Sequence, residues 1–204
     1  MLEHPSIRRY SFVSHLEDTV VDMGSDNPTG ADDQQETEAM SRSLDPWWIV
    51  GFVDGEGCFS VSVHHNPRNA RRTGDWQLTP VFQVYQHESQ SVLLESIRNH
   101  FGCGRLSHKG PKSTVMTYSV SRLADLEERV IPFFEEFCLL VKDRNFRTFA
   151  SIVRAMRIRE HWSADGFDRL VRLAYTMHQH GKQRARPIDA ILQGSSETGR
   201  QAPQ

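Results

Sequence analysis

Cysteine is scarce in this chain of 204 residues. The three present, Cys58, Cys103 and Cys138, are odd in number and far apart. They exclude a disulfide framework and a Cys-x-x-Cys zinc site, and they fit a reducing compartment. Long apolar runs are also missing. The longest, Trp47 to Val53, falls far short of the roughly 18 residues that mark a membrane span, so no membrane partner is expected. The opening segment MLEHPSIRRYSF has no apolar signal core, which argues against secretion and for a cytoplasmic setting, the interior of a bacterium or an organelle. Net charge is low as well, −2, but that average hides a split. Residues 1–45 hold ten acids and three bases, a net of −7, whereas residues 46–204 hold 16 acids and 21 bases, a net of +5. The globular part is cationic, and a symmetric dimer would double its charge.

What is present fits one domain with extensions. Residues 1–44 are acidic and polar, with nine acids against three bases, and cannot bury enough apolar area to offset the entropy of ordering. They are expected to be a disordered extension, and residues 194–204 a flexible tail. The domain between them spans 45–193. Asp45-Pro46 is a helix start, with Asp as N-cap and Pro at the first helical position. The helix runs through WWIVGFVDG and stops near Gly57. The period then switches to two. Phe59, Val61 and Val63 point one way, and Ser60, Ser62 and His64 the other. A basic loop, NPRNARRTGD, leads to a second strand in which Leu78, Phe82 and Val84 alternate with Gln77, Thr79, Gln83 and Tyr85. Pro80 within it argues for an edge position or a bulge. An amphipathic helix, SQSVLLESIRNHFG, is closed by Gly102. Two short strands follow, then helices, the first expected to break at Pro132. The order is helix, hairpin, helix, hairpin, helices: an α+β protein with one four-stranded antiparallel sheet and helices on one face.

The uncovered sheet face can be written down. It carries Ser60, Ser62, His64, Asn66, Gln77, Thr79, Gln83, Arg105, Ser107, Lys109, Thr117 and Ser119. Solvated faces usually mix Glu, Lys and Thr. Gln, Asn, Ser, Arg and Lys are the types that read base edges in a major groove, which admits a β-ribbon. Arg68, Arg71 and Arg72 in the turn suit phosphates. In the first helix, Gly51 and Gly55 lie four apart and share a face. Each costs roughly 1 kcal/mol against alanine, a cost that close approach of a second helix would explain. Asp54 and Glu56 end that helix, where carboxylates oppose the macrodipole, an arrangement a bound cation would offset. An EF-hand is excluded, because the alternating oxygen ligands stop after Glu56. His64 and His65 lack the spaced partners of an HNH nuclease and read as strand and turn residues.

Ile49-Val50-Gly51-Phe52-Val53-Asp54-Gly55-Glu56-Gly57 resembles the LAGLIDADG motif of homing endonucleases. The segments FQVYQ, LVKDRNF and GKQRAR also resemble single-motif members, and the resemblance covers about residues 46–193. It implies an αββαββα core whose sheet forms a saddle over the DNA major groove, with C-terminal helices. The motif helix, with Trp48, Gly51, Phe52 and Gly55, would be the interface of a homodimer, since there is one motif per chain. The resemblance implies that Glu56 binds divalent metal, Mg²⁺ with Mn²⁺ as substitute. It implies that Gln86 positions water and that Lys142 stabilises developing negative charge, with Arg144 the other candidate for that role. Lys182, in the GKQRAR segment, is a further DNA contact. Asp54 reads as support for the helix junction rather than as a ligand. The implied activity is metal-assisted hydrolysis of double-stranded DNA at a long pseudo-palindromic site, by an intron- or intein-associated enzyme. Relatives with this fold that act in RNA splicing, or bind DNA without cutting, are the alternative, and Glu56 separates the two. A purely structural dimer module fits the acid-poor sheet face less well.

Overall fold

The computed structural model of the chain describes residues 44–66, 76–177 and 187–192, all within one compact unit, Met40–Gln204. The N-terminal extension up to residue 43, the basic turn with Arg68, Arg71 and Arg72, Lys182 and the tail 194–204 lie outside the described residues.

The first helix, α1, spans Pro46–Glu56. It starts where the sequence indicates: the Asp45 carboxylate accepts the backbone N–H groups of Trp47 at 2.8 Å and Trp48 at 3.1 Å, satisfying two donors that have no partner within the helix. It ends at Gly57, where a Cβ would stand 2.6 Å from the backbone oxygen of Val53. Only glycine lets the chain pass that carbonyl and enter β1, Gly57–His65. Then come β2 (Trp76–His87), α2 (Ser91–Phe101), β3 (Arg105–His108) and β4 (Val115–Val120). The sheet is antiparallel, in the order β1-β2-β4-β3.

Pro80 lies within β2, a central strand, yet it does not disturb the ladder. It is paired with Val61 of β1, and β4 joins β2 only from Phe82 onward. At Pro80 the strand therefore has one neighbour, which is the local edge that a residue without N–H needs. Pro132 differs from expectation. The helical path from Leu123 does not break there. It passes through α3 (Leu123–Asp125), a π-helical segment, Leu126–Val130, and α4 (Ile131–Glu136). The wider π turn just ahead of the proline accommodates a ring that would collide with the carbonyl four residues back in a regular helix.

Two longer helices complete the layer, α5 (Asp143–Arg157) and α6 (Ala164–Thr176), followed by a short helical segment at 188–192. Helix α2 packs on β2, β3 and β4, α5 on β1 and β2, and α6 on β1. Phe59 is at the centre of the core: its ring stacks on Phe82 at 5.0 Å and meets Phe134, Phe146 and Phe149 at 5.3–5.4 Å. Burying one such side chain stabilises the fold by about 1.5–3 kcal/mol. No helix among the described residues is long and apolar enough to cross a membrane.

Candidate nucleic-acid interface and metal-binding end

With the helices on one side, the opposite face of the sheet is uncovered. The register assigns its residues in rows. Cys58, Gln83, Ser119 and Arg105 form one row across all four strands, and Tyr85, Thr117 and Ser107 the next. Ser62 lies beside Thr79, and His64 beside Gln77. None of these side chains is an acid. Ser60 and Ser62 donate to the carbonyls of Val81 and Thr79, each at 3.4 Å. Asn66 donates to the side-chain oxygen of Gln77 at 2.6 Å. Arg105, Ser107 and Lys109 are exposed. Two members expected to be exposed are not: Thr117 and Ser119 are only 5% and 8% exposed. They are short side chains on a strand flanked on both sides, between Gln83 or Tyr85 and β3, so they form the floor of this face between taller neighbours. Tyr85, absent from the expected set, belongs to this surface. Its aromatic character concealed it, although its position in the alternation marks it.

Helix α1 lies with Ile49, Val50 and Val53 buried. Trp48, Gly51 and Gly55 are exposed and Phe52 is half-buried. At positions i, i+3, i+4 and i+7 these four make one stripe. The Trp48 and Phe52 rings stack at 5.2 Å, and a Cβ on Gly51 or Gly55 would meet nothing within 4 Å. The bare strip is therefore not used for packing inside the chain.

The C-terminal end of α1 is held by a reciprocal contact. The Asp54 carboxylate accepts backbone N–H groups from Leu140 (2.7 Å), Val141 (3.2 Å) and Lys142 (2.9 Å). In return the Lys142 ammonium donates to the carbonyls of Val53 and Gly55, each at 3.0 Å, and to that of Asp54. An ammonium has three N–H donors, and all three are engaged. Each charge stands where the helix dipoles favour it: the lysine at the end of α1, the aspartate at the start of α5. This confirms Asp54 as a junction residue. It also corrects the electrostatic argument, because the cation that offsets the acids at this helix end includes Lys142 itself. Of the two candidate basic residues, Lys142 reaches the end of the motif helix, while Arg144 is exposed on the first turn of α5. Replacing Asp54 with Ala strands three N–H donors, a loss of about 2 kcal/mol or roughly 4–8 °C in Tm for a chain of this size. Asp54→Asn, which keeps an acceptor oxygen, should lose less. Thermal unfolding checks this, and an unchanged Tm for Asp54→Ala would show that the contact contributes nothing.

Glu56, next to this junction, is exposed. Gly57 pairs with Val84, so Glu56 and Gln86 lie just beyond the same end of the β1–β2 ladder. The Gln86 side-chain oxygen accepts the N–H of His87 at 2.8 Å. No cluster of three or more His, Cys, Asp or Glu side chains suited to a metal occurs among the described residues. Glu56 alone therefore cannot form an all-protein cage. A single exposed carboxylate does fit Mg²⁺, which keeps several waters and takes one or two carboxylates together with substrate phosphates.

A helix bearing the motif residues, leading into a four-stranded saddle with an acid at the junction, defines the LAGLIDADG class of fold. The sequence profile of the family described as LAGLIDADG endonuclease matches residues 49–153, and the chain belongs to that family. Among relatives, a probable intron-encoded endonuclease 2 of Neurospora crassa is 32% identical over 66% of this chain and 29% of its own length. The homing endonuclease I-ApeII of Aeropyrum pernix is 34% identical over 56% of this chain and 65% of its own. The chain thus spans less than two thirds of these curated relatives. The archaeal intron-encoded homing endonuclease I-Vdi141I, solved in complex with DNA, superimposes with a TM-score of 0.67 at 29% identity, over 75% of this chain and 95% of that one.

Proposed function

We propose that the protein is a site-specific endonuclease of double-stranded DNA, intron- or intein-associated, acting as a homodimer inside a cell or organelle. The observation that carries the proposal is the placement of Glu56: an exposed carboxylate at the end of a helix whose outer stripe carries two bare glycines, Gly51 and Gly55. Pairing two copies through Trp48, Gly51, Phe52 and Gly55 would bring two Glu56 side chains to one axis, one for each DNA strand. The acid-free saddle of each copy supplies hydrogen-bond donors and acceptors to base edges, and Arg105 and Lys109 supply positive charge. Two protomers, each covering roughly one turn, require a pseudo-palindromic site of about two turns.

Glu56 is the hard-oxygen donor that would hold Mg²⁺ or Mn²⁺, and the ion would supply a polarised phosphate and an activated water. The amide of Gln86, at the same end of the ladder, is the group suited to orient that water. The reciprocal contact of Asp54 and Lys142 holds the Glu56 backbone against α5, so the acid is presented in a fixed place. The three cysteines are thiols, in keeping with a reducing interior. A second reading, DNA or RNA binding without cleavage, draws on the Lys142 ammonium, whose three donors are already engaged by carbonyls.

One experiment separates the readings. The protein is incubated with duplex DNA spanning the insertion junction of its own gene, with Mg²⁺, with Mn²⁺ and with chelator. A unique double-strand cut in either metal and none in chelator is expected. Tight, selective binding with no cut at any metal concentration would establish the second reading instead.

A further inference from the structure

Helix α1 turns three rows away from the core. Trp47 and Asp54, seven apart, share one flank; Gly51 and Gly55 form the middle; Trp48 and Phe52, four apart, form the other flank. The segment leading into α5, residues 137–142, runs along the first flank. Its Phe137 ring meets Trp47 edge-on at 5.5 Å, and the N–H groups of Leu140, Val141 and Lys142 reach Asp54. Leu139 is buried, and Lys142 is tied to the end of α1. Between these anchors Leu140 and Val141 turn outward, 88% and 80% exposed, the two most exposed large apolar side chains among the described residues. A single exposed leucine is ordinary. Two adjacent apolar side chains on a pinned backbone, beside a bare glycine strip, form a surface, and a pinned backbone presents it without the ordering cost of a loose loop. The strip is thus the floor of a shallow apolar channel, with the stacked Trp48 and Phe52 rings on one side and Leu140 and Val141 on the other.

A stable dimer buries about 1,200–2,000 Å² in all, with roughly 20–30 residues a side. Four stripe residues of one helix, two of them glycine, fall far short, so a pairing surface centred on α1 has to extend beyond it. We propose that Leu140 and Val141 form the second half of the homodimer interface, packed on Trp48 and Phe52 of the partner subunit. This inference rests on the homodimer of the endonuclease reading. The facing follows from symmetry. For both Glu56 side chains to reach one axis, the two α1 helices must run in the same direction with that axis between them. A half-turn about it sets glycine strip against glycine strip and brings unlike flanks together, aliphatic on aromatic, once on each side of the axis.

Sedimentation equilibrium of the full chain without DNA, over a concentration series, tests this. The double variant Leu140→Ser, Val141→Ser should keep the wild-type circular dichroism, since both side chains are largely in solvent. It should weaken dimerisation by at least about 100-fold in Kd, because each change counts twice in a symmetric pair. Mixing reads which flanks meet. Trp48→Lys and Val141→Glu should each give monomers, since each sets a charge against an apolar flank. Mixed, they should recover dimer mass: one contact joins the two introduced charges and the other stays as in wild type. A double variant that dimerises as tightly as wild type overturns the proposal, and monomeric Gly51→Leu in the same series would leave pairing through α1 intact. A double variant of native dimer mass that no longer shifts target DNA would make these side chains an apolar wedge in a DNA groove, which also overturns it. A mixture that stays monomeric overturns the facing of the flanks. If wild type is itself a monomer at every concentration, the homodimer reading fails, and this inference with it.

Discussion

Glu56→Gln is expected to fold, to bind its target and not to cut it. Folding should survive because the side chain is exposed at a helix end and none of the contacts that hold that end, those of Asp54 and Lys142, runs through it. Binding should survive because the saddle supplies it. In chelator it could tighten, since a carboxylate near a phosphate oxygen is repulsive by about 1 kcal/mol at 4 Å in water, roughly fivefold in Kd. Cleavage should fall by at least about 10²–10³-fold, because the amide is a poor ligand for a hard cation and the stabilisation of the leaving oxygen goes with it. A mobility shift and a nicking assay on one preparation, with Mg²⁺ titrated, read all three. Cutting at near wild-type rate would place the metal elsewhere.

Gly51→Leu has effects of opposite sign on the single chain and on the assembly. In the single chain the new side chain meets open space. Replacing a mid-helix glycine with leucine also raises helix propensity by about 0.8 kcal/mol, so the fold should be as stable as before or slightly more so. In the paired state the same side chain stands where two helix backbones must approach. The expected result is a well-folded monomer, half the native mass by sedimentation, with double-strand cleavage lost because one chain carries only one Glu56. Circular dichroism guards against misfolding as the explanation. A Gly51→Leu protein of native dimer mass and full activity would remove α1 as the interface.

Most of the frame was legible in the sequence for local reasons. Asp45-Pro46 and Gly57 punctuate α1 at both ends, and the period-two alternation of β1 and β2 assigns their faces residue by residue. What was hidden depended on distant neighbours. The alternation places Thr117 and Ser119 on the outer face, but only the strand order, with β4 inside the sheet, reveals that they are buried. Pro132 signals a disturbance without saying whether the chain breaks or widens into a π turn. Asp54 could be seen as a misplaced helix-end acid, but its three partners lie 86–88 residues away. The motif drew attention to Lys142 as chemistry, whereas the structure gives its ammonium a capping task first. Tyr85 is hard to single out because a tyrosine in an alternating strand looks like ordinary sheet.

The contact between Asp54 and Lys142 also orders events in time. A chain is made from its N-terminus, so the motif helix, Glu56 and the first hairpin leave the ribosome while residues 140–142 are still to be added. Closing that span carries a loop-entropy cost that only the docked α5 offsets. Until then the last carbonyls of the helix that presents Glu56 lack the Lys142 ammonium, and Asp54 lacks the N–H groups of residues 140–142. A truncated or half-folded copy would therefore carry the acid without the contact that holds its helix end against α5.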